Sequence, residues 1–352
     1  MKRGLRIGLV ALPLILAGAH YAYWRISVDR LEQGLAIWRT QRQRAGWTIE
    51  TGAPQRGGYP LAATVTVPSV RLHGDMMDAL GVLPGGLTWN AERVVLQVKL
   101  IQPRLLQISA TGAQQLQVAD SPEIPFRADQ LRLVFPLEPG FPRWSDLTIA
   151  QLRAGVPTGD TAVGVTVGAF RAHGDLRPAA PQGEAAVTFA LRAETIRLPG
   201  TIPWALGPDV ARVDLDGFIG GPLPRGGTPA QAAIQWRDGG GTIEVGALRV
   251  DWGKLAVNAS ATLALDEQLQ PMGTGAARIV GQTEALDALV DSGALTPRAA
   301  QMVRTMIALF AAPAAQPIGD GAVEIPLTLQ DRRLLTRQLP LGRVPVLQWP
   351  GR

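Results

Sequence analysis

The sequence predicts a mainly β fold: a large curved antiparallel sheet built from repeated β units, preceded by an N-terminal transmembrane helix and an amphipathic helix, with two late helices covering the sheet. Three observations carry this reading. Glycine and proline supply 68 of the 352 residues while 46% of the chain is hydrophobic, a mixture that favours many short strands joined by turns. From Trp47 onward the apolar residues recur with period two, the alternation of a half-buried strand. Finally, one strand motif occurs twice. Val65-Thr66-Val67 leads into Arg71-Leu72-His73-Gly74-Asp75, and Val165-Thr166-Val167 leads into Arg171-Ala172-His173-Gly174-Asp175, as duplicated β units would show.

The N-terminus reads first as an anchor. Lys2, Arg3 and Arg6 precede Ile7–Trp24, a run without a formal charge that closes on Tyr21, Tyr23 and Trp24. Basic residues before and aromatics after are the marks of a span with its N-terminus in the cytoplasm. The competing reading is a cleaved secretory signal, since Ala17-Gly18-Ala19 before His20 fits a small-residue cleavage pattern. Either reading sends the rest of the chain across the membrane. The expected organisation is 1–24 as cytoplasmic tip and anchor, 25–45 as a stalk helix, and 46–352 as a periplasmic β-rich domain.

Trp24, Val28, Leu31, Leu35 and Trp38 draw one apolar stripe at helical spacing, and Gly46 is placed to stop the helix. That stripe either packs on the following domain or lies at the membrane interface. Residues 61–67, 93–100, 130–135, 242–251, 254–265 and 323–329 read as strands. A looser motif, Ala91-Glu92-Arg93-Val94, Ala128-Asp129-Gln130-Leu131 and Ala193-Glu194-Thr195-Ile196, is expected to open three of the strands. Thr283 is placed to cap a helix over Glu284–Val290, and Thr296-Pro297 opens another through Phe310. A short helical turn is expected at Asp75–Leu80, and Pro178-Ala179-Ala180-Pro181 marks a candidate hinge.

Charge excludes one function class. Of 34 basic and 29 acidic residues, the first 44 positions hold eight basic and two acidic ones, leaving 26 against 27 for the remainder. A body so nearly neutral does not carry the excess that a nucleic-acid-binding domain needs.

Chemistry is sparse. There is no cysteine, so thiolate catalysis, thiolate metal sites and disulfides are excluded. Nucleophile-elbow, zinc-protease and phosphate-loop motifs are absent. His73 and His173, with Asp75 and Asp175, form the one constellation that invites a metal or acid–base reading. The alternative is that each His-Gly-Asp is a strand-ending turn with its Asp capping backbone N–H groups. Without a third ligand or an orienting partner in view, no catalytic, metal or cofactor-binding residue is assigned. Gly239-Gly240-Gly241 reads as a hairpin turn, His20 as an interfacial residue, Asn258-Ala259-Ser260 as a chance sequon, and the nine tryptophans as packing residues.

Tyr23-Trp24-Arg25, Gly46-Trp47, Gly58-Tyr59-Pro60-Leu61 and Trp89-Asn90-Ala91-Glu92-Arg93-Val94 together resemble the start of the bacterial envelope family catalogued as domain of unknown function 2125. Leu286-Asp287-Ala288-Leu289-Val290, Ile325-Pro326-Leu327-Thr328-Leu329-Gln330-Asp331 and Pro340-Leu341-Gly342-Arg343-Val344-Pro345 extend the resemblance to the C-terminus. It implies a membrane-anchored, β-rich envelope protein of Gram-negative bacteria and brings no catalytic residues. The last strands also resemble, at the level of fold, the AsmA-like envelope proteins, whose curved sheets carry lipid. The functional expectation is a non-enzymatic, single-pass inner-membrane protein. Its periplasmic body is expected to contact inner-membrane lipid and bind an apolar lipid-like ligand; the alternative is a scaffold for an envelope protein partner.

Overall fold

A computed structural model gives the architecture. It describes the chain except residues 1, 76–85, 119–120, 139, 159–160, 201–202, 225–227, 312–321, 338, 348 and 350–352, with backbone alone at 2–11, 13, 75, 156–158, 161–163 and 306–311. Helix α1 (Lys2–Arg44) leads into β1 (Thr48–Glu50), β2 (Gln55–Gly57), β3 (Ala62–Asp75), β4 (Gly86–Lys99), β5 (Leu105–Val118), β6 (Ile124–Arg127), β7 (Gln130–Pro136), β8 (Trp144–Thr158), β9 (Thr161–Leu176), β10 (Ala185–Arg197) and β11 (Asp209–Gly220). Helix α2 (Pro229–Asp238), β12 (Ile243–Trp252), β13 (Leu255–Leu265), β14 (Pro271–Val280), α3 (Gln282–Asp291), α4 (Pro297–Ala311), β15 (Val323–Gln330), β16 (Arg333–Thr336) and β17 (Leu339–Arg343) complete it.

All 17 strands belong to one antiparallel sheet that follows chain order as a meander. Two places are shared: β1 and β2 flank successive halves of β3, and β6 and β7 both lie between β5 and β8. The mainly β, antiparallel expectation therefore holds, and so do the six strands read from alternation. The repeated motif falls on β3 and β9, two long strands at different places in the meander.

Register explains how the alternation becomes two faces. Residues directly opposite each other on antiparallel strands project to the same side. Val65, Leu96, Ile108, Leu133, Leu147, Ala172, Leu191, Leu215, Leu248, Ala259, Ala277 and Ile325 are successive partners from β3 to β15. This unbroken apolar row defines one face. The neighbouring row, Ser109, Arg132, Thr148, Arg171, Arg192, Asp214, Arg249, Asn258, Arg278 and Glu324, defines a polar one.

The sheet is interrupted at chosen points. Ser69 in β3, Gln151 in β8 and Thr195 in β10 have φ of 51°, 52° and 56° and drop out of the register. The register resumes unchanged on the far side of each. Two copies of the looser motif sit at irregularities and one opens a strand: Ala91-Glu92-Arg93 spans a register shift inside β4, Thr195 lies inside β10, and Ala128 stands just before β7.

The core lies in the N-terminal sector. Val28 and Leu31 of α1 are buried on Val65, Val67, Val94, Leu96 and Val98, with Trp24 and Leu35 packed beside them. The predicted stripe is thus a packing stripe, and Gly46, at φ 87°, ends the helix as expected. Arg56 of β2 clamps the helix, pairing with Asp29 at 2.9 Å and donating from Nε to Glu32 at 2.8 Å. The Glu32 hydrogen bond holds its guanidinium pKa above the ordinary value.

Several expectations are corrected. Residues 2–44 form one helix of 43 residues, so the anchor and the stalk helix of the sequence reading are continuous. Among the described residues no helix is long and apolar enough to cross a membrane. From His20 onward α1 is committed to the sheet instead. His20 Nε2 lies 2.7 Å from the Pro60 carbonyl, Trp24 Nε1 donates to the Gly57 carbonyl, and Tyr21 and Trp24 are in ring contact with Tyr59.

The late helices cover part of the sheet: α3 and α4 pack on each other and against β13 and β15. Helix α3 begins after Gly281, which has φ 78° and no side-chain cap, so Thr283 is not its cap. Thr296 does cap α4, accepting from Ala299 N. Gly239-Gly240-Gly241 is the exit from α2 rather than a hairpin turn. Helix α2 itself is marked by Thr228, Pro229 and Gln231, which form a capping box. Each His-Gly-Asp lies within a strand rather than in a turn. The sheet also continues from β9 to β10 past Pro178–Pro181, with Ala180 buried, so no hinge divides it. Apart from Asp75, which closes β3, the Asp75–Leu80 turn lies outside the described residues.

Candidate functional site

The two faces of the sheet carry two different grooves. On the apolar face, α1 does not close completely over β3, β4, β5 and β7. A groove of about 540 Å³ remains beneath it, lined by Leu35, Trp38, Leu96, Ile108 and Phe135 among others. Alternation puts these side chains there: Leu96 and Val98 on β4, and Leu106 and Ile108 on β5, all point toward the helix. Gly34 of α1 lines the groove too, and a side chain added at this position would meet nothing within 4 Å. Arg30 and Arg39 border it from the helix. The arrangement is an apolar slot with basic groups on one side, suited to an amphiphile rather than to bond-making chemistry.

On the opposite face, a groove of about 520 Å³ is lined by Lys99, Arg132, Asp146, Arg171, His173 and Arg192 together with glutamines. The sequence singled out His173 but missed its partner. Nδ1 of His173 lies 2.6 Å from Asp146 Oδ1 on the neighbouring strand, and Nε2 lies 3.1 Å from Asp175 Oδ2. Thr188 donates to that same Asp175 oxygen at 3.0 Å. The hydrogen bond to Asp146 pushes the His173 pKa up, against the lowering effect of burial. With both ring nitrogens engaged by carboxylates, the protonated form of the imidazole is favoured.

His73 has a different environment. Its Nδ1 contacts Thr88 Oγ1 at 2.8 Å, and the adjacent Gly74 lies against the Trp47 ring, where a Cβ would stand 2.2 Å from Trp47 Cδ2. The structure does not bring His73 and His173 together, since β4, β5, β7 and β8 separate their strands. Among the described residues no group of His, Asp or Glu is placed to hold a metal ion. Five tryptophans donate to backbone carbonyls, Trp24 to Gly57, Trp204 to Pro199, Trp236 to Gly220, Trp252 to Gly207 and Trp349 to Leu269, and of these only Trp204 and Trp252 are in ring contact with each other. They act as packing staples and do not form a platform.

The signal that would have found Lys99, Arg132, Arg171 and Arg192 is their phase within the strands. Finding it requires the register between strands far apart in sequence. No curated protein and no solved structure matches the chain. One family does, described as an uncharacterized protein conserved in bacteria, DUF2125, and it matches residues 24–345. With the match running from the docked part of α1 past the last strand, the chain belongs to the DUF2125 family.

Proposed function

We propose that this protein binds an apolar, lipid-like ligand in the groove between α1 and β3–β7 and serves in maintaining the bacterial envelope. The groove is the observation that carries the reading. Its volume falls within the roughly 300–1,000 Å³ of small-molecule sites, its floor is the apolar face of the sheet, and Arg30 and Arg39 suit an acidic head group. In this reading the protein is not an enzyme: His173, the best-connected titratable group, is saturated by two carboxylates.

The reading places the protein at the inner membrane with its sheet in the periplasm. Leu12, Leu14, Ile15 and Leu16 of α1 are about two-thirds exposed, and lipid is the partner that would cover them. Protease added to spheroplasts should digest the sheet while the inner membrane is intact; full protection would refute this placement. A partner-holding scaffold remains the second reading, favoured by β17, which is exposed at every residue and presents strand backbone to a neighbour.

Gly34→Leu separates these readings. Gly34 lines the groove and a Cβ there would meet no atom within 4 Å, so a leucine has room to reach across the opening, and the loss of a helical glycine is worth about 0.5–1 kcal/mol of stability. Uptake of a fluorescent fatty acid by the full-length protein should fall by about tenfold or more. Unchanged uptake, or none by the unmodified protein, would remove the lipid reading.

A further inference from the structure

We propose that the polar face of the sheet carries a second binding site, a groove across β4 to β10 that takes a phosphate-bearing anion. It lies on the opposite side of the sheet from the apolar groove and does not depend on it. Four cations line it, Lys99, Arg132, Arg171 and Arg192, against one carboxylate, Asp146. That carboxylate is already engaged by His173. None of the four makes a salt bridge among the described residues, whereas other arginines of the chain do, as Arg56, Arg143 and Arg304 show.

Register makes this arrangement unusual. Arg171 on β9 stands directly opposite Arg192 on β10, and like charges in that relation repel. On the same face two residues along, the chain alternates sign, with Glu194 opposite Arg212 and Arg212 opposite Asp251. Arg171 thus faces only Thr148 and Arg192 across the sheet, and the first carboxylate of this row, Asp214, stands beyond Arg192 on β11. Arg132 adds a second signal. It is half-buried, and its Nε is shut off from solvent without a hydrogen-bond partner, which costs free energy unless something supplies an acceptor.

Guanidinium forks match the oxygens of phosphate, and several in one row match a ligand with more than one such group. Gln97 and Gln107, joined at 3.2 Å, add amide donors and acceptors at the groove's β4–β5 end. The ligand chemistry is thus an extended phosphate-bearing anion, whose source is either a free phosphate compound or the head groups of anionic lipid.

The test uses the full-length protein in neutral detergent micelles, titrated calorimetrically with inorganic triphosphate at low salt. Saturable binding is expected, and R171Q/R192Q should weaken it by about tenfold or more, the loss of two charge-assisted contacts. R212Q, on the same face but outside the groove's lining, should leave it unchanged. K99Q provides a second variant, weakening binding about threefold or more, should the double variant fail to fold. Vesicles then identify the source. If phosphatidylglycerol vesicles recruit the protein more than phosphatidylcholine vesicles do, and R171Q/R192Q removes the difference, head groups are the ligand. If triphosphate binds and the vesicles do not differ, a free phosphate compound is. Absence of saturable triphosphate binding, or equal weakening by R212Q and R171Q/R192Q, would overturn the proposal.

Discussion

The same apolar row meets two different fates along the sheet. Between β3 and β7 it begins under α1, where Val65 and Leu96 are buried, and passes through Ile108 and Leu133, which are half-buried. Between β8 and β13 it continues as Leu147, Ala172, Leu191, Leu215 and Leu248, all of which remain only half-buried. Alternation in the sequence decides which face a side chain joins, but a covering element decides whether that face becomes a core. The N-terminal sector has the better core because one helix arrives with a matching stripe. Where that helix fits incompletely, the groove appears.

This contrast is easiest to break at Val28, which is fully buried between α1 and the sheet. Val28→Asp should cost about 3 kcal/mol or more, since a carboxylate would be buried without a partner. Thermal unfolding should show a large drop, and limited proteolysis should cut within α1. A smaller and sharper test compares two leucines of the one row. Leu96→Ala, beneath the helix, should cost about 2–4 kcal/mol, while Leu215→Ala should cost about 1 kcal/mol or less. Equal losses in chemical denaturation would mean that both sectors are equally covered.

Thr228→Ala probes the C-terminal sector through local structure, and loss of the α2 cap should cost about 1 kcal/mol. The smallest effect is electrostatic. The His173 pKa is raised above its ordinary 6.5 by Asp146. Its stabilising contribution is therefore complete below 6.5 and fades as pH rises through the raised value. Asp146→Asn should lower the pKa seen in an NMR titration of His173 and narrow the stability difference between about pH 5.5 and about pH 8.

The contrast also explains what was legible in the sequence. Strands such as β4 and β13 announce themselves through alternating Val, Leu and Ala, and the packing stripe of α1 is plain at Trp24, Val28, Leu31 and Leu35. Strands β5, β8, β11 and β14 give no such signal, because Gln, Thr, Gly, Arg and Asp interrupt their apolar positions, and β10 shows itself only from Ala193 onward. Helix α2 was overlooked although Thr228-Pro229 and Gln231 spell its cap. The sites were less legible still. His173 stood out by composition, but its partner Asp146 lies 27 residues away on another strand, and the row of arginines exists only once β7, β9 and β10 are in register. The apolar aromatic cluster at Tyr21 and Trp24 suits a membrane boundary as well as a sheet corner, and only the position of Tyr59 distinguishes them.

Phe135 and Val134 are neighbours on β7 that face opposite grooves, so they offer the most direct test of the central claim that the apolar face under α1 holds lipid. A photo-crosslinking amino acid would replace each in turn in the full-length protein, with irradiation in living cells and mass spectrometry of the purified product. Acyl-lipid adducts at 135 and none at 134 are the predicted result. No lipid adduct at 135, or equal adducts at both positions, would contradict it.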